Sequence, residues 1–544
     1  MAMGSAVPAA STSPLRLKRT LLGVLAGAVT LVGALAAVVL LLSGVSLATD
    51  ATALARVEVQ PLGGSIESVQ AFGPDGRRVP LARSGDRLTP LRPLRPGEQV
   101  SVEVRVRRPG WIGWALGAER TERLTLRTPV ASVADRWMTL RPGAEVLVRF
   151  DSPVHAIAYG SVGHLTHRLL RAPARSVSLG SHGTTGTVEV AAAARAWEKL
   201  GAPAPVSWFP PSRDAVMASL PAPGTLIGPA TPLVLTFSRP VAQVLGSSRP
   251  RLTPTIAGRW READSHTLIF TPAGFGAPLD SQLRATLPSE VAVTAGAGHG
   301  LQTTRQVQWT VPPGSTLRLQ QLLAQAGYLP VDWRPSGTAV PRTAAAQAQA
   351  AVDPPSGAFS WRYGNTPAPL QALWSAGQPN VVTRGAVMKF ESLNNLTADG
   401  EAGATVWRAL LLDAIRGKRL SEPYSYVYVH REVPEMLTLW SAGRTVLSTP
   451  ANTGIAGAET ALGTYPVFEH IPEGTMSGTN PDGSHYEDHG IKWISYFNGG
   501  DALHNFNRSS FGTPQSLGCV ELPLAASAQV WPYTPIGTLV TIAG

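Results

Sequence analysis

Two similar segments of 13 residues constrain the fold most strongly. Residues 142–154 (PGAEVLVRFDSPV) align without a gap on residues 229–241 (PATPLVLTFSRPV), at an offset of 87 residues. That offset is close to the length of one β-sandwich domain, about 100 residues. Apolar and polar residues also alternate over 99–106, as in a strand with one buried face. We therefore predict a mainly β, multidomain chain that starts with sandwich modules over residues 51–130, 131–220 and 221–312.

These modules resemble the bacterial immunoglobulin-like spacer domains of cell-surface proteins. Residues 96–99 (PGEQ) open a weaker third copy of the repeat. The resemblance implies immunoglobulin-like modules over 131–220 and 221–312, and a sandwich-like module over 51–130. The sequence shows no cluster of ionisable residues there, so we interpret the modules as spacers that hold a distal domain away from a membrane.

The N-terminal segment has the pattern of an export signal. Arg16, Lys18 and Arg19 precede an uncharged, largely apolar run of 22 residues, 21–42. A helix needs about 20 such residues to cross a bilayer. Because basic residues flank the run on its N-terminal side, we expect that side to stay in the cytoplasm and the rest of the chain to be exported.

We favour an uncleaved, single-pass membrane anchor over residues 21–45, preceded by a cytoplasmic tail, residues 1–20. The alternative is a cleaved signal peptide with residues 46–48 (SLA) as the cleavage site. The apolar run is longer than the roughly 7–15 residues usual in such peptides. Both interpretations place the part of the chain that follows this segment, including its C-terminal domain, outside the cytoplasm.

The charge of the chain is unevenly distributed. The formal net charge is +10, but residues 421–544 contain 11 acidic and 4 basic residues, leaving 42 basic and 25 acidic residues in 1–420. The scattered arginines lack the aromatic interleaving and recognition helix of a nucleic-acid reader. We expect attraction to lipid head groups or wall polymers, and no nucleic-acid partner.

A helical pattern replaces the β pattern after residue 314. Residues 317–330 (LRLQQLLAQAGYLP) have helical spacing with a glycine stop, and further helical runs start near residues 383 and 406. Residues 314–416 resemble the small helical peptidoglycan-binding domain, interrupted by a Pro/Ala/Gln-rich insertion near 340–355. The alternative is a helical packing unit that binds nothing.

Cys519 is the one cysteine of the chain, which excludes an intramolecular disulfide and any multi-cysteine metal site. Structural cysteines of exported proteins are normally paired. An unpaired one is either an inert buried thiol or a nucleophile. For the second case His504 is the natural base, because an imidazole can accept the thiol proton.

Three neighbouring residues support this pair in the prediction. Gly518 allows close approach of the backbone, so that amides near it can face an oxyanion. Ser516 can cap the tight turn or donate a hydrogen bond to the site. The backbone carbonyl of Asn505 is a candidate to orient the imidazole.

Residues 422–543 return to β character and resemble the catalytic domain of YkuD-type L,D-transpeptidases. The family signature is a His followed, after a loop, by Ser/Thr-His-Gly-Cys; here the chain has His504 and then Ser516-Leu517-Gly518-Cys519. Leu517 replaces the signature His, and Glu521 stands where the family often has Arg. Only 11 residues separate His504 from Ser516, a shorter gap than is usual in the family.

The resemblance implies a two-step acyl transfer on peptidoglycan stem tetrapeptides without a cofactor. Cys519 attacks the carbonyl of the third residue, terminal D-alanine leaves, and the amine of a neighbouring stem resolves the thioester into a cross-link. Water in place of that amine makes the enzyme an L,D-carboxypeptidase. The departures at Leu517 and Glu521 leave a further alternative, a catalytically decayed wall-binding scaffold.

A metal site is the competing enzymatic interpretation. His485 and His489 are four residues apart, with two acidic residues between them. This spacing brings two imidazoles together only in a helix, and Pro481 and two nearby glycines predict a loop. We therefore predict no metal site.

Overall fold

The structure is a computed structural model that describes residues 30–161, 164–294 and 301–544. It contains two compact units, one ending at Arg213 and the other starting at Asp214. Strands predominate in both units, and the prediction of a mainly β, multidomain chain is confirmed.

The predicted cytoplasmic tail, 1–20, and the first part of the predicted anchor, 21–29, lie outside the described residues. Residues 30–42 are helical (α1). Val45, the predicted end of the anchor, already lies in strand β1 (Val45–Thr49), which pairs antiparallel with β2 (Ala55–Val59). The boundary predicted at residue 45 is therefore too late. None of the helices within the described ranges combines the length and the apolar character needed to cross a membrane.

The first module contains two sheets, with strand orders β1-β2-β5-β4 and β3-β6-β7. Its further elements are β3 (Ser65–Phe72), β4 (Leu81–Ser84), β5 (Arg87–Pro90), β6 (Gln99–Arg107), α2 (Gly110–Leu116) and β7 (Glu119–Arg127). Strand β6 covers the predicted strand 99–106. Its alternate residues Val100, Val102 and Val104 are fully buried, as the alternating pattern requires.

The second module differs from the prediction of two packed sheets. Its strands are β8 (Trp137–Thr139), β9 (Glu145–Ser161), β10 (His164–Ser181), β11 (Gly186–Ala193) and β12 (Ala204–Phe209). They form one five-stranded sheet in the order β10-β9-β11-β12-β8. Register shifts interrupt the long β9–β10 hairpin between Leu169 and Ser176, and residues from both halves of β9, such as Val148 and Ile157, share one core. The interrupted β9–β10 hairpin therefore contributes both of its halves to one core, although the module has a single sheet.

The third module has two sheets, in the orders β13-β14-β17-β16 and β15-β18-β19. Its elements are β13 (Met217–Leu220), β14 (Leu233–Phe237), α3 (Val241–Val244), β15 (Arg251–Thr253), β16 (Gly258–Glu262), β17 (Thr267–Pro272), β18 (Ser281–Thr294) and β19 (Leu301–Val311). Because β13 pairs with β14, the module boundary lies near residue 213 and not at 220.

The sequence repeat corresponds to equivalent buried positions in the two modules. Buried in both copies are Val146, Val148 and Phe150 of β9 and Leu233, Leu235 and Phe237 of β14. The copies diverge at their ends, because Val154 continues a strand whereas Val241 begins helix α3.

The helical region contains five helices and one hairpin within its described residues. They are α4 (Thr316–Gln325), β20 (Val331–Pro335), α5 (Ala344–Val352), β21 (Gly357–Trp361), α6 (Ala368–Ala372), α7 (Val381–Leu393) and α8 (Ala404–Arg416). Three predicted helical runs fall in α4, α7 and α8. The insertion near 340–355 contains α5, which starts at an N-cap where the side chain of Thr343 accepts the Ala346 N–H. Alanine has the highest helix propensity, and the alanine-rich part of the insertion forms this helix.

The helical region packs directly on the C-terminal domain. Tyr426, Trp440 and Leu539 of that domain belong to the same apolar core as the buried residues of α4, α7 and α8. The contact is close, because a Cβ added to Gly385 would lie 2.5 Å from the carbonyl oxygen of Gly537. The two regions therefore share one hydrophobic core.

The C-terminal domain has two sheets, ordered β24-β23-β22-β30-β25 and β26-β27-β28-β29. Its elements are β22 (Ser425–His430), β23 (Met436–Ser441), β24 (Arg444–Pro450), β25 (Gly463–Pro466), β26 (Glu469–Thr479), β27 (His485–Asn498), β28 (Asp501–Asn505), β29 (Val520–Leu522), α9 (Leu524–Val530), a 3-10 turn (Trp531–Tyr533) and β30 (Leu539–Ala543). Both sheets contribute to one core, which places the ends of β28 and β29 firmly against the first sheet.

Candidate active site

Cys519 lies immediately before β29 and is half-buried. Its Sγ donates a hydrogen bond to the carbonyl oxygen of Gly500, with an Sγ···O distance of 3.6 Å. The sulfur also faces the backbone amide of Ala502. Because β29 pairs in parallel with β28, the thiol is fixed against the start of the strand that carries His504.

His504 lies in β28 and is 3% exposed. Its Nδ1 lies 2.8 Å from the backbone carbonyl oxygen of Asn505. A carbonyl oxygen only accepts hydrogen bonds, so Nδ1 carries the proton and Nε2 is left as the proton acceptor. The side chain of Asn505 does not contact the imidazole in this way; its Oδ1 accepts a hydrogen bond from the backbone N–H of Lys492 at 2.6 Å.

Cys519 and His504 face the same cavity, about 830 Å³ in volume. His504 is opposite Glu521 in the β28–β29 pairing, and side chains two residues apart in a strand point to one side of the sheet. Cys519 lies two residues before Glu521, just outside β29, and lines this cavity together with His504. No hydrogen bond joins Sγ to the imidazole in the described structure.

Ser516 and Gly518 shape the turn before the thiol. The Ser516 hydroxyl, which is buried, donates to the carbonyl oxygen of Cys519 at 2.5 Å and accepts the Gly518 N–H at 3.3 Å. Ser516 thus caps the turn, one of its two predicted tasks. Gly518 has φ +116°, and a Cβ there would lie 2.4 Å from Oδ1 of Asp501. Only glycine satisfies both conditions without strain.

Glu521 is buried beside this turn and forms an ion pair that the sequence did not predict. Nε and Nη2 of Arg508 donate to its two carboxylate oxygens at 2.8 and 2.7 Å. Arg508 also donates to the carbonyl oxygen of Gln515 at 3.0 Å and lies 4.5 Å from the ring centroid of Phe506. The guanidinium reaches the cavity wall from the loop between β28 and β29.

Burial opposes ionisation at both predicted catalytic groups. It raises the pKa of Cys519 to about 12; the Ala502 amide works against this rise, and the carboxylates of Asp501 and Glu521 add to it. Burial also lowers the pKa of His504, although the Asn505 carbonyl and Glu521 favour its protonated form. Thiol and imidazole are therefore both uncharged at neutral pH, and thiol deprotonation has to accompany nucleophilic attack.

Two parts of the cavity were missed in the sequence. Asp501 lies close to Gly518, and burial raises the pKa of its carboxyl group. The β26–β27 hairpin supplies Met476 and Tyr486 to the wall. Apolar and polar residues alternate only weakly in β26 and β27. The turn residues between the two strands were therefore the only sequence feature that could have indicated a hairpin.

The segment with His485 and His489 was predicted as a loop, and that prediction is wrong. Both residues lie in β27, where a separation of four residues spans about 13 Å. His489 Nδ1 instead lies 2.9 Å from the hydroxyl of Thr475. No group of metal-ligating side chains occurs within the part of the chain that the structure describes.

Comparisons with known proteins identify the C-terminal domain. The family model of the L,D-transpeptidase catalytic domain, YkuD, matches residues 424–542. No curated protein matches the chain. Similar solved structures include the L,D-transpeptidase from Mycobacterium smegmatis, at 13% identity over 61% of this chain and 99% of that one, with a TM-score of 0.21. The catalytic domain of the E. faecium L,D-transpeptidase is 22% identical over 22% of this chain and 95% of its own, with a TM-score of 0.20.

A third similar structure is L,D-transpeptidase 3 from Mycobacterium tuberculosis in complex with a faropenem-derived adduct. It is 12% identical over 60% of this chain and 97% of that one, with a TM-score of 0.21. The family match includes both Cys519 and His504. Residues 424–542 are a YkuD L,D-transpeptidase catalytic domain.

Proposed function

We propose that the chain forms peptidoglycan cross-links through a thioester on Cys519. The observation that carries this proposal is the placement of Cys519 and His504 on one cavity wall of a YkuD domain. The Nδ1 hydrogen bond to Asn505 leaves Nε2 of His504 as the proton acceptor. A rotation of the thiol away from the Gly500 carbonyl, its present acceptor, frees the sulfur for attack.

The first step forms a thioester. Sγ of Cys519 attacks the carbonyl carbon of the third residue of a stem tetrapeptide while its proton passes to Nε2 of His504. The bond to the terminal D-alanine breaks, and the imidazolium returns the proton to the departing amine. In the second step, the side-chain amine of a neighbouring stem attacks the thioester, a new amide bond forms, and the thiolate regains a proton.

Arg508 is the proposed anchor for the carboxylate of the leaving D-alanine. Its Nε and Nη2 are held by Glu521, whereas Nη1 has no hydrogen-bond acceptor among the described residues. The side chain is 30% exposed and lines the cavity. A guanidinium is well suited to this role because its N–H donors match the geometry of a carboxylate.

We further propose that the chain acts outside the cytoplasm and is held to the membrane by its N-terminal apolar segment. The basic residues before the apolar run 21–42 support this orientation. The helical region 314–416 is proposed to contact wall polymer close to the catalytic domain, with which it shares a core.

Acylation by a carbapenem, a β-lactam class that acylates this family, tests the proposal. Intact-mass spectrometry should show one adduct on the purified chain and none on Cys519→Ala. Ser509→Ala, a variant on the exposed loop after Arg508, is the matched control and should keep the adduct. An adduct of unchanged mass on Cys519→Ala would end the proposal.

The departures at Leu517 and Glu521, together with the uncharged thiol, favour one rival: a catalytically decayed wall-binding scaffold. It predicts sedimentation with purified sacculi, no acyl-enzyme and no turnover. Release of D-alanine from a tetrapeptide excludes the scaffold. The products then separate the two enzymatic outcomes, because a carboxypeptidase yields only tripeptides whereas a transpeptidase also yields cross-linked dimers.

A further inference from the structure

Arg318 is a buried arginine without a counter-ion in helix α4. The residue is 1% exposed. Its Nη1 donates to Oε1 of Gln321 at 3.1 Å and its Nη2 to Oε1 of Gln347 at 2.7 Å. Its Nε is buried without a hydrogen-bond partner. Both acceptors are neutral amides, and no carboxylate among the described residues forms an ion pair with it.

A buried charge of this kind needs compensation. Proteins normally pair buried cations with carboxylates, because neutral acceptors replace only part of the lost hydration. Burial lowers the pKa of Arg318 to about 10, so the group is still protonated at neutral pH. Among the residues that the structure describes, the positive charge of Arg318 therefore has no negative partner.

Arg318 lines a cavity of about 350 Å³ in the helical region. The rim has further basic side chains, among them Arg342 and Arg419. The cavity also contains two carboxylates, but each has a basic partner of its own. Asp332 pairs with Arg362 at 3.2 Å, and Asp413 pairs with Lys418 at 3.4 Å.

The wall of the cavity is partly aromatic and apolar. Trp333 lines it. The remaining wall includes apolar side chains such as Leu322 and Leu410. The volume of the cavity falls within the roughly 300–1,000 Å³ of pockets that hold small molecules. It is larger than a single inorganic anion needs.

We propose that this cavity binds a small organic anion through a carboxylate or phosphate group placed on the guanidinium of Arg318. The anion supplies the missing negative charge, the rim arginines attract it, and Trp333 with the apolar wall contacts its carbon skeleton. The site belongs to the helical region and not to the cavity of Cys519. Its existence is therefore independent of the proposed transpeptidase activity.

Binding to the full chain tests the site, by isothermal titration calorimetry and by the shift in melting temperature. The probes are inorganic phosphate, N-acetylalanine and uncharged N-acetylalaninamide. We expect at least one anion to bind and to raise the melting temperature, and the amide to do neither. Phosphate alone would identify the group as phosphate and N-acetylalanine alone as carboxylate. Failure of both anions to bind overturns the proposal.

Arg318→Met keeps an unbranched apolar stem and removes the guanidinium group with its charge. Loss of a charged hydrogen bond predicts roughly ten- to hundredfold weaker anion binding. Arg334→Gln is the matched control, since Arg334 is exposed on β20 and lies outside the cavity lining. Equal anion binding by Arg318→Met and the unmodified chain overturns the proposal.

A second variant covers the case in which Arg318→Met fails to fold. Arg342→Gln combined with Arg419→Gln changes only exposed rim residues, which makes a folding defect unexpected. We expect this double variant to bind the anion several-fold more weakly, with the largest difference at low salt. Unchanged affinity at low salt would contradict the placement of the anion at this rim.

Discussion

Arg508 and Glu521 are joined by two hydrogen bonds between the guanidinium and the carboxylate, at 2.8 and 2.7 Å. The acid is 4% exposed and belongs to a strand, whereas the arginine comes from the preceding loop and reaches the cavity. Arg508 thus brings a guanidinium to the cavity from the loop that precedes the strand of Glu521.

Replacing both members of the pair tests the role of the cation. We expect Arg508→Gln/Glu521→Gln to raise KM for a tetrapeptide by roughly ten- to hundredfold, because a charged hydrogen bond to the substrate carboxylate is lost. Steady-state kinetics should show no such increase with a substrate whose terminal carboxylate is amidated. Equal losses on the two substrates would argue against carboxylate recognition by Arg508.

The single variant Arg508→Gln should also destabilise the domain. It leaves the buried carboxylate of Glu521 without its partner, which costs about 1–3 kcal/mol in free energy of unfolding. Urea denaturation should show a lower midpoint for this variant than for the double variant, in which the side chain at position 521 is an uncharged amide. The opposite order would mean that the buried carboxylate has a further partner.

The reactivity of the thiol should be low at neutral pH. Burial raises the pKa of Cys519 to about 12, so the thiolate fraction, and with it the rate of alkylation by iodoacetamide, should keep rising well above pH 9. Asp501→Asn removes a carboxylate that raises this pKa and should accelerate alkylation at pH 8. Asp482→Asn, on the hairpin turn of the same cavity, is the control. A rate that levels off near pH 8 would contradict the raised pKa.

Local patterns predicted more of this domain than long-range contacts did. The β character of residues 422–543 could be predicted from the sequence, and the Asn505 carbonyl could be proposed as the partner of His504 because the two residues are adjacent. Arg508 and Glu521 are 13 residues apart and meet only once β28 and β29 pair in register. The pattern of residues within one segment does not show which residues of two strands pair with each other.

The same limitation explains the errors elsewhere in the chain. The segment with His485 and His489 was predicted as a loop because of Pro481 and two nearby glycines, but it lies in β27, which pairs with β26. The insertion near 340–355 contains helix α5, which was not predicted. The burial of Arg318 could not be predicted, because the sequence pattern of α4 does not show that the insertion covers its guanidinium.

Gly518 should not tolerate a side chain. Its φ of +116° and the 2.4 Å approach of Asp501 Oδ1 to an added Cβ predict that Gly518→Ala costs about 1–3 kcal/mol in stability. The displaced turn should also slow acylation of Cys519 by a carbapenem. Gly364→Ala is a control for the substitution itself, since an added Cβ there meets nothing within 4 Å. Unchanged thermal stability and acylation in Gly518→Ala would show that the turn adapts.

The pH profile of acylation should have its acid limb below pH 6.5, the ordinary pKa of an imidazole. Burial lowers the pKa of His504, so the neutral, proton-accepting form persists as the pH falls below 6.5 and is lost only at the lowered pKa. His504→Gln should reduce the rate roughly 10²–10⁴-fold, the usual contribution of a general base. Glu521→Gln removes a carboxylate that favours the imidazolium and should move the acid limb to still lower pH. Stopped-flow measurement of carbapenem acylation between pH 4 and 9 gives the midpoint directly. An acid limb that stays in place in His504→Gln would assign the titration to another group and remove His504 as the base.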